Sequence, residues 1–362
     1  MMVIRLDLLG VRPGAVRARV DAAAELMACL HVLVEPEHHP ERAGWTREVR
    51  RGLPPDTGAE LERFAPLWSR FRTRLLLPLA AAAGGDLDEA LDQVAGLADP
   101  AFIALCAEAI HGLSEQRAWK LEDSTCAKEF VQQCYERSTA RGALAAELVA
   151  DPQRLRSRLL ALLRGLDAGF FAALWARVRP DLARTAAIVE ESIRTRPLAL
   201  VIGSLAPTAQ IDQAEQAVMF EKLQQASIPV ADRELVLIPT RFGHPHLLVK
   251  GERLLGHRLP VVVQFPMKQA DSGSLAELRD RLLALTDETR LALCRHLINE
   301  RCTTTELARR SGMSVQQVSR HLRRLRETGL VVSERHGRTV QYRIVLSRLY
   351  GLGYELVTRI VH

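Results

Sequence analysis

The sequence is short of lysine, of aromatic residues and of paired cysteines, and each shortage closes off a class of protein. Its basic character rests on arginine, with forty-four arginines against five lysines in 362 residues. Aromatic residues make up 5% of the chain, so its cores must be built from leucine and alanine rather than from large rings. The six cysteines, Cys29, Cys106, Cys126, Cys134, Cys294 and Cys302, occur singly and form no C-x-x-C pair. That argues for reduced, buried thiols in a cytoplasmic protein and against a disulfide framework or a thiolate metal site. No stretch approaches about 18 consecutive charge-free apolar residues, so no membrane span is expected. Met1 to Gly10 sets Arg5 and Asp7 inside its apolar run, unlike the hydrophobic region of a secretory signal. Also missing are G-x-S-x-G, G-x-G-x-x-G, a Walker loop and H-E-x-x-H, and Gly203-Ser204 lacks the flanks of a nucleophile elbow. No catalytic residue, cofactor or metal site is therefore expected, and the chain does not read as an enzyme.

What is present is a soluble composition with an uneven charge. Hydrophobic residues at 48% and charged residues at 25% suit globular cores, and the length suits two or three domains. The net charge is +6, yet Gly273 to His362 alone holds sixteen arginines, no lysine and nine acidic residues, a local +7. All the positive excess thus lies in the last quarter, as in a nucleic-acid-binding module joined to a near-neutral domain.

Apolar residues recur at three- and four-residue spacing through Val16–Leu33, Ala59–Leu79, Leu87–Leu97, Pro100–Leu113, Ser124–Arg137, Pro152–Leu163 and Asp181–Thr195. Residues 1–197 therefore read as a helical domain. Leu198–Ile202, Leu235–Thr240, His246–Lys250 and Leu259–Phe265 are aliphatic and β-branched, so 198–268 reads as a small α/β or β-hairpin region. Pro260 and Pro266 confine the last run to an edge or a short strand. Residues 269–273 read as a linker before a domain over 274–362. The fold class is mainly α, of the α+β type.

In that last domain, Ser274-x-x-Glu277, Thr303-x-x-Glu306 and Ser314-x-x-Gln317 are three capping boxes, and Asp287 can cap a further helix. Gly312 and Gly329 stand where helices must stop. A short helix, a tight turn and a longer helix make a helix-turn-helix. Val318, Leu322 and Leu325 form the inward stripe of the longer helix, and Gln316, Arg320 and Arg323 lie opposite. Gln316, Gln317 and Arg320 are expected to contact base edges, because amide and guanidinium groups pair bidentately with adenine and guanine. Ser314, Ser319, His321, Arg323 and Arg324 are assigned to phosphates or to orienting contacts. Two β-prone runs joined by Arg335-His336-Gly337-Arg338 form a basic wing, with Arg335, His336 and Arg338 at its tip.

Leu285-Thr286-Asp287-Glu288-Thr289-Arg290-Leu291, Thr305-Glu306-Leu307-Ala308, Val318-Ser319-Arg320-His321-Leu322 and Gly329-Leu330-Val331 resemble, in order and spacing, the ArsR family of bacterial repressors. The resemblance covers roughly residues 275–345. It implies a homodimer on an inverted-repeat operator in double-stranded DNA, with repression relieved by an effector. It also implies a dimer interface on the final helix through Leu349, Tyr350, Leu356, Val357 and Ile360. The metal-sensing members carry paired cysteines where this chain has Thr303 to Leu307, with Cys302 alone nearby, so metal sensing at the family's usual sites is not expected. Ala22–Trp45 resembles an uncharacterised domain fused to ArsR-like modules in high-GC bacteria. Its Glu35, Glu37, His38 and His39, near His31, read as a solvated loop, and Gly243-His244-Pro245-His246 reads as a turn. The resulting expectation is a cytoplasmic, dimeric transcriptional repressor whose amino-terminal domain senses a small ligand or extends the dimer. A protein-docking winged helix, or an enzyme with a regulatory domain, stays open.

Overall fold

The computed structural model describes all residues except 1, 40–41, 81–84, 113–118, 207–208, 213, 223–224, 245–246, 252–258, 268–274, 300, 337–338, 346–347, 350–351, 354–355 and 357–362. The chain divides into two compact units, residues 1–38 with 45–267, and residues 39–44 with 268–362. The expected linker at 269–273 and the first capping residue, Ser274, lie outside the described residues.

The larger unit begins with β1 (Met2–Asp7) and β2 (Val16–Ala18), followed by α1 (Ala22–Val34). Apolar residues lie all round α1, and it is buried along nearly its whole length, so it runs through the core rather than along its surface. The Asp21 carboxylate starts it by accepting the Ala24 N–H at 2.9 Å. Next come α2 (Ala43–Gly52), α3 (Pro55–Arg63), α4 (Ala65–Trp68), α5 (Leu87–Ala95), α6 (Asp99–His111), α7 (Ser124–Arg137), α8 (Thr139–Ala150) and α9 (Pro152–Leu166). A π-turn at Asp167–Phe171 joins α9 directly to α10 (Ala172–Thr195). By length and composition, Pro152–Thr195 could cross a membrane, which the sequence reading did not expect. Its Leu155, Leu159, Leu163, Leu166, Phe171 and Leu174 instead fill the helical core.

The last third of this unit holds α11 (Leu198–Gly203), β3 (Gln210–Asp212), β4 (Ala217–Lys222), β5 (Ala226–Pro229), β6 (Leu235–Thr240), β7 (Leu248–Lys250) and β8 (Val261–Pro266). These strands form two four-stranded sheets, ordered β3-β4-β1-β5 and β2-β6-β8-β7. Three sequence expectations change here. Met2–Asp7 and Val16–Ala18 are strands and not part of a helical run, because Met2–Asp7 pairs with β4 and β5, and Val16–Ala18 with β6. The strands form mixed sheets rather than a β-hairpin alone, since β1–β5, β2–β6 and β6–β8 are parallel. The run between Pro260 and Pro266 is interior, flanked by β6 and β7, and is buried throughout. Its prolines stand just before and at the end of the strand, where a missing N–H costs the ladder least.

The second sheet separates two cores by the alternation of its side chains. Val236, Ile238 and Val262 face the helical core, whereas Leu235, Leu237, Val261 and Val263 join Leu6, Val218 and Phe220 in the core between sheets. Covering on both faces is why these strands read as unbroken aliphatic runs.

The smaller unit contains α12 (Leu275–Leu285), α13 (Glu288–Asn299), β9 (Cys302–Thr303), α14 (Thr304–Ser311), α15 (Val315–Glu327), β10 (Val331–His336) and β11 (Thr339–Ile344). β10 and β11 form the expected hairpin, and β9 adds a third strand against β11. Leu278, Leu293, Leu297, Leu307, Val318, Leu322, Leu325 and Ile344 make its core. It is a winged helix.

Candidate nucleic-acid interface

The helix-turn-helix is held by local chemistry that the sequence announces. Thr303 and Glu306 form a reciprocal capping box at α14, and Gly312 stops that helix at φ +70°. Ser314 and Gln317 form a second box at α15, and Gly329 takes φ +70° beyond it. A side chain at either glycine would be strained, so both turns are specified by residue type.

α15 buries Val318, Leu322 and Leu325 and exposes Gln316, Ser319, Arg320 and Arg323. Arg320, Arg323 and Arg326 form no ion pair among the described residues, so their charge is available to a partner. Arg324 differs: its guanidinium lies 3.8 Å from Asp280 and 3.6 Å from Glu327. His321 is half-buried, with Nδ1 4.0 Å from Asp287. Two of the residues expected at phosphates or in orienting contacts thus lie beside acidic groups of the same unit.

Gln317 shows a second departure. Its Oε1 accepts the Ser314 N–H at 2.9 Å and the Ser314 hydroxyl at 3.0 Å. A bidentate pair with adenine needs the amide oxygen as well as the N–H2. Gln317 is thus a helix cap here with its amide oxygen taken, whereas Gln316 is exposed on the outward face.

On the wing, Arg335 is exposed, and the His336 backbone pairs with Thr339. Arg338 lies outside the described residues. Glu334 accepts from Arg301 at 2.6 Å and from Arg343 at 2.9 Å, so two guanidiniums share one carboxylate and the sheet behind the wing keeps a positive excess. Of the expected interface residues on the final helix, Leu349 packs against the winged-helix core and Leu356 is exposed, while Tyr350, Val357 and Ile360 lie outside the described residues. Exposed apolar side chains that the sequence reading did not single out are Leu275 and Leu283 on α12.

Asp287 caps α13 by accepting the Arg290 N–H at 2.9 Å. That bond, with help from the Arg290 charge and from His321, holds its carboxyl below the usual carboxylate range. A depressed folded pKa gives stability that is present above the unfolded value and is lost as pH falls through the folded one. Asp287→Ala is expected to cost about 1 kcal/mol at neutral pH. Melting of the parent and the variant should converge as the solution is acidified.

The other singled-out residues do not gather into a site. His31 Nδ1 points inward to the Trp68 carbonyl at 2.8 Å, while His38 stands 3.7 Å from Glu35 on the surface. Among the described residues no group of three His, Cys, Asp or Glu could hold a metal ion. Five of the six cysteines are buried, and burial pushes the Cys294 thiol up to about 11.

Comparison with known proteins matches residues 2–271 to a family described as a family of unknown function (DUF5937), and residues 285–334 to a helix-turn-helix domain. The HTH-type transcriptional regulator NmtR of Mycobacterium tuberculosis is 39% identical over 77 residues, which are 21% of this chain and 64% of that protein. The chain thus spans under two thirds of the length of that relative. Among solved structures, an ArsR-like transcriptional regulator from Rhodococcus sp. RHA1 is 34% identical, over 23% of this chain and 79% of that one, with a TM-score of 0.23. The homodimeric winged helix-turn-helix DNA-binding domain Mb0332 of Mycobacterium bovis is 25% identical, over 25% of this chain and 86% of that one, with a TM-score of 0.21.

Proposed function

The chain belongs to the DUF5937 family of unknown function, and we propose that this member is a transcriptional regulator that binds operator DNA as a homodimer through its winged helix. The observation that carries the reading is the outer face of α15. Gln316, Ser319, Arg320 and Arg323 are exposed there, opposite a fully buried Val318–Leu322–Leu325 stripe. The two outward arginines form no ion pair among the described residues, so binding a phosphate or guanine edge breaks no internal salt bridge. The basic surplus of the carboxy-terminal quarter supplies the long-range attraction. In this reading the protein acts in the cytoplasm as a repressor, and the amino-terminal unit binds the small effector that relieves repression.

A dimer with one recognition helix per subunit requires two half-sites about 10–10.5 base pairs apart, or a multiple of that. Footprinting of the promoter region upstream of the protein's own gene should reveal two symmetric protected patches at that spacing. A single unsymmetric patch would remove the dimer from the proposal, and no protection at protein excess would remove the operator.

A further inference from the structure

We propose that the amino-terminal unit contains an anion-binding site centred on Arg72, which takes a small molecule with a carboxylate on an apolar body. The inference rests on the reading that this unit binds an effector, and it names the chemistry of that effector.

The stretch Ala59–Leu79 is not the single helix its periodicity suggests. α4 ends at Trp68, where Ser69 turns to an extended conformation. Residues 72–78 then run through the interior with neither helix nor strand, although every one of them is buried. Irregular backbone is rarely buried, because its polar groups are hard to satisfy there. Thr73 answers part of this, its N–H bonding the Leu67 carbonyl at 2.7 Å and its hydroxyl the Leu105 carbonyl at 3.4 Å. Arg74 donates to the carbonyls of Pro78 and Pro260.

Arg72 is different. It is 4% exposed, and its Nε–H is buried without an acceptor among the described residues. Burial pulls its pKa down to about 10, with Glu35 opposing as the nearby carboxylate. Glu35 is not within ion-pair distance of it and sits 3.7 Å from His38 instead. Four residues back on the same stretch, the fully buried Trp68 has an indole N–H that is also without an acceptor. The locus is positive on a second side: Arg141 reaches Ser69 Oγ at 2.9 Å and the carbonyls of Ala109 and Ile110 at 2.8 and 2.6 Å. Its charge also acts on Glu35.

Two buried donors without acceptors call for an acceptor, and the charge on one of them calls for an anion. A carboxylate satisfies a guanidinium in two parallel hydrogen bonds and neutralises it. Leu67 and Leu105, whose carbonyls bond Thr73, and Leu75 on the same stretch are buried apolar neighbours, which is why the rest of the ligand is proposed to be apolar. Glu35 then has a defined effect: it is a like charge beside the incoming carboxylate and weakens its binding.

The test uses the full chain with benzoate and hexanoate as carboxylate probes and benzamide as the neutral control, read by thermal shift and calorimetry. Either carboxylate should raise the melting temperature of the parent, and benzamide should not. Arg72→Met should weaken carboxylate binding roughly ten- to hundredfold. The same variant, measured without probe, should melt at or above the parent, since a buried unpaired charge has been removed. Glu35→Gln should tighten carboxylate binding, a change no merely structural role for Arg72 would produce. The proposal is overturned if neither carboxylate shifts the parent, if benzamide shifts it equally, if Arg72→Met responds as the parent does, or if Arg72→Met melts clearly below the parent. DNA binding is measured on the same samples. Operator binding without a carboxylate response would sink this site and leave the regulator, whereas a parent that binds no DNA would sink the regulator whatever benzoate does.

Discussion

Arg320→Ala is expected to cost the operator complex about 1–3 kcal/mol and to relax selectivity at one base position. Arg320 is exposed on the face of α15 opposite its core stripe, and it is expected to read a guanine edge. Arg323→Ala should instead weaken specific and random DNA alike and flatten the salt dependence by roughly one unit of slope, the signature of a lost phosphate contact. The double variant should therefore bind operator more weakly than either single variant, the Arg320 share alone being roughly five- to 150-fold at ~1.4 kcal/mol per factor of ten. Neither change touches the core, so thermal unfolding should be unmoved. Competition against a panel of single-base operator variants separates the two roles. If Arg320→Ala discriminated among them as sharply as the parent does, Arg320 would not be a base-reading residue.

Leu6→Ala is expected to destabilise the larger unit by about 2–5 kcal/mol. Leu6 is fully buried on β1, with β4 and β5 on either side, and it packs in the core that both sheets share. The consequence should reach strands some two hundred residues away in sequence. Hydrogen exchange at Val218, Phe220 and Ile228 should lose protection together with β1. The separate melting of the winged helix should stay where it was. Unchanged exchange at β4 would mean that the amino-terminal strand does not hold that sheet.

These two predictions mark what was and was not legible in the sequence. The winged helix was readable because its determinants are local: two capping boxes, two glycines at positive φ, and a helix whose inner and outer faces differ sharply. Ser124–Arg137 was readable for the same reason, with Asp123 as its cap. The sheets were not. β1 and β2 are six and three residues long and find their strand partners among residues 217–237. Val16–Ala18 also runs into the apolar stretch that becomes α1, so a helical period swallowed it. The interior place of β8 was hidden because its prolines mark the ends of the strand and not its middle. Within the interface, Gln317 fitted both a cap and a base contact, and only the geometry shows the amide oxygen already taken by Ser314. The acidic neighbours of His321 and Arg324 were hidden because Asp287 and Asp280 are distant in sequence. Arg72 carried no signal, being one arginine among forty-four until burial set it apart.

The central claim is that the winged helix reads DNA, and fluorescence anisotropy with the full chain tests it most directly. One probe is the duplex from upstream of the protein's own gene, the other a scrambled duplex of equal composition, each at two salt concentrations. Preferential binding to the first probe, weakening steeply as salt rises because counterions are displaced from phosphates, is the predicted result. Equal, salt-insensitive or absent binding to both would contradict the account and leave the α15 face as a surface for docking another protein.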